Sequence, residues 1–219
     1  MNFKLAEMRS AVKEFIAGIA EGDEVFVYFS GVGLHADRDN FLLAADFDPR
    51  RKQGFSLTAL AQDLEDRNGA VKIVFVDAAR AGEILGESAG LVAPVEQTRE
   101  TLIVFSQQYE QTLRDPAGGR PSAFATALAA ALRKPGLSVS GLAEDVIVST
   151  TNATSGQQQP VTAMQRLTRI TYLRPPEVKE RVVEKPVVVV REAELEPGAA
   201  RELKKTGLSH SWIPPGEFE

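Results

Sequence analysis

Few residues in this chain can carry chemistry. The sequence holds no cysteine and only two histidines, His35 and His210. Thiolate nucleophiles, disulfides and thiolate metal sites are therefore excluded, and so is a histidine-rich metal centre. What remains is oxygen chemistry. Ser30 and Ser106 each close a run of apolar β-formers, Asp77 closes another, and Arg80 lies three residues later. A hydroxyl attacks a carbonyl only when a base takes its proton and N–H groups hold the oxyanion. No such triad can be assembled here, so both serines read as turn and strand-end hydroxyls. His35 is a base with no nucleophile to serve. Asp37, Asp39, Asp46 and Asp48 offer oxygen ligands of the kind calcium takes, but their spacing fits no metal loop, and a solvated acidic loop is the expectation. No metal and no cofactor is expected.

These groups sit at the ends of elements that the apolar spacing defines. Leu5, Met8, Val12, Phe15, Ile16 and Ile19 recur at three and four and predict a helix capped by Asn2 and ended by Gly22-Asp23. Strands are expected over 24–30, 40–44, 71–76, 101–105 and 168–173, the run Val71 to Val76 being apolar enough to be covered on both faces. Helices are expected from Leu57 behind a Ser56 cap, from Pro121 to Leu132, and from Leu142 to Val148 behind Ser138 or Ser140. Helix and strand alternate, the rhythm of a parallel sheet with crossovers.

With 219 residues and 43% apolar content, the chain can bury a substantial core. The net charge of -5 provides no basic stripe, so neither nucleic acid nor an anionic membrane is an expected partner. No apolar run approaches the ~18 residues of a membrane span and no secretory core opens the chain, which points to the cytoplasm.

Two segments carry a resemblance. Tyr28-Phe29-Ser30-Gly31-Val32-Gly33 and Val74-Phe75-Val76-Asp77-Ala78-Ala79-Arg80 are similar to the strand ends that hold the His and the Cys of caspase-like peptidases, F-S-G-H-G and D-A-C-R. Val32 stands at the His position and Ala79 at the Cys position. Their separation of 47 residues matches the ~50 of that family. Asn40-Phe41-Leu42-Leu43 before Asp46, Leu91 to Pro94, Thr101 to Ser106 and Gly119 to Phe124 continue the likeness, over about residues 3–168. The resemblance implies an α/β fold, a caspase-like mostly parallel sheet with helices on both faces, here lacking the family's first strand. It also implies a vestigial cleft of Gly31, Gly33, Asp77, Arg80 and Ser106. Asp77 matches the acidic residue that helps bind a basic side chain in family members; alternatively it caps the following turn or pairs with Arg80. Gly31 and Gly33 present N–H groups to a ligand or serve a turn that needs glycine.

Because the family's first strand would lie beside 24–30, the resemblance leaves that edge open. An open edge is normally covered. The candidates are Val187 to Val190, a second copy of the chain, or a separate polypeptide. Past Arg174, prolines and alternating charges suggest an extended linker. Ser211 to Glu219, with Trp212-Ile213-Pro214-Pro215-Gly216, resembles the opening strand of a formylglycine-generating-enzyme domain, a variant of the C-type lectin fold. The expected organisation is thus a caspase-like domain over 1–173, a linker over 174–207 and the start of a second domain over 208–219. The expected function is a pseudo-protease that binds or scaffolds, presenting the lectin-like domain, possessing no catalytic residue, and engaging a protein partner or itself through the open edge. The alternatives are a regulatory partner of an active caspase-like protease, or a cysteine peptidase with both residues substituted by design.

Overall fold

The computed structural model describes residues 3–36, 39–48, 50, 53–67, 71–78, 91, 98–109, 119–177, 200–202 and 209–211. The chain divides into two units, Met1–Glu177 and Val178–Glu219.

The first unit is built on a four-stranded sheet. Helix α1 (Leu5–Ala17) precedes β1 (Glu24–Ser30), and a small antiparallel sheet comes next, made by β2 (Gly33–Ala36), β3 (Asp39–Leu42) and β4 (Phe55–Ser56). Then come α2 (Leu57–Glu65), β5 (Val71–Asp77), β6 (Thr101–Phe105), α3 (Ala123–Ala131), α4 (Val139–Ala153) and β7 (Val161–Arg166). The main sheet runs β1-β5-β6-β7, the first three strands parallel and β7 antiparallel to β6. Every residue of β5 and β6 is buried, in keeping with the predominantly apolar runs of central strands covered on both sides.

Period-two alternation sorts the side chains of the sheet onto two faces. Val25, Val74, Val76, Ile103 and Phe105 pack with Ile16 of α1 and Leu57, Leu60 and Leu64 of α2. Ile73, Phe75, Leu102 and Val104 pack with Phe124 and Leu128 of α3 and Leu142 and Val146 of α4. Helices therefore cover both faces of a mostly parallel sheet. Phe75 anchors the second face, its ring 5.8 Å from that of Phe26 and 5.9 Å from that of Phe124. Lys72, a charge within a central strand, is 4% exposed at its side chain and is held by the Glu65 carboxylate at 2.6 Å.

Serines start three of the helices. Ser56, Ser122 and Ser138 each accept a hydrogen bond from the N–H three residues on, in Ala59, Ala125 and Gly141. Ser138, and not Ser140, is thus the cap of α4.

Other boundaries differ from expectation. Helix α1 stops at Ala17, and its first residue comes directly after Lys4; Gly18 caps it, and Gly22 takes the positive φ of a turn. The last strand of the sheet is Val161–Arg166, while 168–173 contributes one bridge, Tyr172 to Ser138. The misplacement has a physical cause: an edge strand with one solvated side needs few apolar residues, so Val-Thr-Ala-Met-Gln-Arg carries a weak signal. The glycine-rich turn after β1 holds an unexpected strand, β2, which pairs with β3.

In the second unit, β8 (Ala200–Glu202) pairs antiparallel with β9 (Ser209–Ser211), on either side of the 207/208 boundary drawn from sequence. Val187 to Val190 and 212–219 lie outside the described residues.

Candidate functional site

The carboxyl ends of β1, β5 and β6 bring Gly31, Asp77 and Ser106 side by side. Ser30 lies opposite Asp77 in the parallel register, and the Gly31 N–H donates to the Asp77 carbonyl at 3.0 Å. Val76 pairs with Phe105, which places Ser106 beside Asp77, and the Ser106 N–H donates to the Val76 carbonyl at 3.0 Å. Loops leaving adjacent parallel strands at this end are where open α/β sheets place ligands.

Gly33 is required by close approach and not by backbone angle. A Cβ there would stand 2.7 Å from the Ala78 carbonyl oxygen, 2.9 Å from Leu91 Cδ2 and 3.1 Å from Ala78 Cβ. The loop after β1 is thereby pressed against the loop after β5. Gly33 is the residue after Val32, and Ala78 the residue before Ala79. Ala79 and Arg80 lie outside the described residues.

Val32 belongs to a small apolar cluster with Leu34, Phe41, Leu43 and Phe47, and its carbonyl accepts from the Leu43 N–H at 2.9 Å. It also lines an apolar groove of about 890 Å3 between α1, β1 and the loop after β3.

Asp77 is 1% exposed. Its Oδ2 accepts from the Ser122 hydroxyl at 2.5 Å, and the Tyr28 hydroxyl stands at 3.4 Å. Ser122 is also the cap of α3, so the carboxylate reaches the positive end of that helix through one hydroxyl. Sequence reasoning missed Ser122 and Tyr28. The Ser122 signal was present, since a serine before an alanine-rich helical run reads as a cap.

Ser106 is also 1% exposed, and among the described residues its hydroxyl has no hydrogen-bond partner. Glutamines fix the backbone around it. Gln158 Nε2 donates to the Ser106 carbonyl at 2.8 Å, the Gln159 N–H to Gln107 Oε1 at 2.7 Å, and Gln108 Nε2 to Gln159 Oε1 at 2.6 Å. The loop after β6 is thus clamped to the loop before β7. Tyr109 meets Phe105 edge-on at 6.2 Å, and burial pushes its phenol above the ordinary value of 10.0.

The remaining candidates lie elsewhere. His35 is in β2, opposite Asn40, in the small sheet. Asp39 accepts from the Ser56 hydroxyl and, at 3.1 Å, from the Thr58 N–H at the start of α2. Asp46 accepts from the Leu5 N–H at the start of α1 at 2.7 Å, and Asp48 from the Arg50 N–H at 2.9 Å. These carboxylates serve separate caps and turns, and Asp37 lies outside the described residues.

No group of three or more His, Asp and Glu side chains among the described residues is gathered so as to hold a metal ion. What the arrangement offers is a buried carboxylate, a buried hydroxyl and two backbone loops in contact. No curated protein matches this sequence. The model of the caspase domain family matches residues 1–172, more than three quarters of the chain, over the sheet and helices just described. The chain belongs to the caspase domain family.

Proposed function

We propose that the chain is a caspase domain that binds and scaffolds without cutting. The observation that carries this reading is the identity of Val32 and Ala79 at the two positions that the family's motifs assign to the base and the thiol. Neither side chain can take a proton or form a bond to a carbonyl. Supporting it, the contact of Gly33 with Ala78 brings the two motif loops together, and Val32 is consumed in apolar packing. The module presents a formylglycine-generating or lectin-like domain, whose opening strand Ser211 to Glu219 resembles, and engages a protein through the outer edge of β1.

The test is turnover. Fluorogenic peptides ending in Arg, Lys or Asp, with and without calcium, are expected to give no cleavage above a blank. Cleavage that disappears on His35→Ala or Ser106→Ala would overturn the proposal.

A second reading, regulation of an active caspase-domain protease by pairing with it, is favoured by the position of β1 at the end of the strand order. It predicts that adding the chain to such a protease changes the protease's rate. An unchanged rate at saturating chain excludes it.

A further inference from the structure

Two apolar hollows run end to end along the outer side of β1. The larger, about 890 Å3, lies between Val27 and Phe29 of the strand and Met8 and Val12 of α1. The smaller, about 510 Å3, continues beside Val25 and Glu24 to Phe15 and Ile19. Ala11 lines both, and together they touch Glu24, Val25 and Val27 to Ser30 of the strand.

The packing of α1 agrees with a missing neighbour. Only Ile16 of its apolar residues is buried and Phe15 is 47% exposed, whereas Leu57, Leu60 and Leu64 of α2 are each at most 2% exposed. Backbone direction supplies the hydrogen bonds. Gly31 donates toward β5, so the alternation of strand amides turns those of Phe26 and Ser30 to the outer side. Among the described residues, no strand lies there. One end of the slot is acidic: Glu14, Asp23 and Glu24 are exposed around the smaller hollow.

We propose that this slot takes an extended segment of a separate polypeptide, added as a strand beside β1. Its alternate side chains are apolar and fill the hollows against Val27, Phe29 and α1, and a Lys or Arg at its end meets Glu14, Asp23 and Glu24. Main-chain pairing supplies affinity and the hollows supply selection. Antiparallel pairing is the more stable per residue, so the cation comes after the apolar run. A second copy of β1 does not meet this requirement, since no Lys or Arg lies between Asp23 and Leu34; Val187 to Val190 followed by Arg191 does, and its use is the outcome that the chain measured alone reads. The proposal deepens the reading of the chain as a binding module and rests on it.

The probe is a synthetic peptide, acetyl-Thr-Val-Thr-Val-Thr-Val-Arg-amide, added to the full chain. Exchange of the Phe26 and Ser30 amides is expected to slow by roughly tenfold or more on saturation. Glu in place of the peptide's Arg is expected to weaken binding about two- to fivefold, as for a rim charge pair, and Glu14→Lys with Glu24→Lys to reverse that preference. A peptide N-methylated at alternate amides keeps its side chains but cannot pair, and is expected not to bind. This control needs no folded variant. Three results overturn the proposal: equal binding of the N-methylated peptide, no protection by the unmodified one, or protection of Phe26 and Ser30 in the chain alone, whether as monomer or as self-associated dimer. Failure here with turnover still absent removes the slot and leaves the non-cutting reading intact. Turnover removes that reading whatever the peptide does.

Discussion

Ser122→Ala separates two roles carried by one hydroxyl. Ser122 accepts from the Ala125 N–H at 2.9 Å and donates to Asp77 Oδ2 at 2.5 Å. Losing a helix cap costs about 1 kcal/mol. Withdrawing the donor at 2.5 Å from a carboxylate that is 1% exposed costs a further ~1.5 kcal/mol. The expected total is about 2.5 kcal/mol, a fall in Tm of roughly 5–10 °C for a chain of this size. The only tryptophan, Trp212, lies far along the chain from the domain core, so urea and thermal melts are monitored by far-UV circular dichroism. In an Asp77→Ala background the cap alone remains, and Ser122→Ala is expected to cost about 1 kcal/mol, a coupling of ~1.5 kcal/mol. Equal costs in the two backgrounds would refute the argument that the Ser122 hydroxyl stabilises the Asp77 carboxylate. Ser122→Thr keeps both bonds and is expected to restore most of the stability.

The packing sets three further outcomes. Burial pushes the Glu65 carboxyl up, but the hydrogen bonds from Lys72 and the Arg99 N–H and the charges of Lys72 and Arg99 outweigh it and hold the group below its ordinary 4.5. That contribution to stability is complete above about pH 4.5 and is lost as the pH falls through the lowered folded value, since the unfolded chain then binds more protons. Glu65→Gln, which also strands a buried ammonium, is expected to cost about 2 kcal/mol at pH 7 and less at acid pH, read from urea melts across pH 3–7. Gly33→Ala drives a methyl to 2.7 Å from a backbone oxygen and is expected to cost ~1–3 kcal/mol by the same melts; a neutral effect would mean that the two loops are not pressed together. Val32→His puts an imidazole against Leu34, Leu43 and Phe47 and is expected to cost ~1–2 kcal/mol, whereas no loss would mark a position built for histidine and favour substitution by design.

The parts of this structure that sequence makes legible are those whose signal is local and strong. Val71 to Asp77 and Thr101 to Phe105 are buried on both faces, and the apolar stretches Ile73 to Val76 and Leu102 to Phe105 are readable without any partner. Ser56 announces its helix. Val161–Arg166 does not announce itself, because its identity as a strand comes from β6 beside it and not from its own residues. The turn after Ser30 hides β2 in the same way: Gly33 reads as a turn residue, yet its small size serves contact with Ala78. At the strand ends, the family motif carries the identities of Ser30, Gly31, Asp77 and Ser106, while tertiary hydrogen bonds from Ser122 and Gln158, 45 and 52 residues distant, have no local trace.

The reversal of direction at β7 bears on how the domain can be handled. Val161 starts beside Phe105 and Arg166 finishes beside Thr101, and the backbone then runs past Ser138 and Arg133 to Glu177. The polypeptide therefore leaves the first unit on the side of the sheet where β6 begins, opposite the strand ends that carry Ser30, Asp77 and Ser106. A biosensor tether or fluorophore grafted just after that exit would hold the first unit by the end of its sheet opposite those three residues.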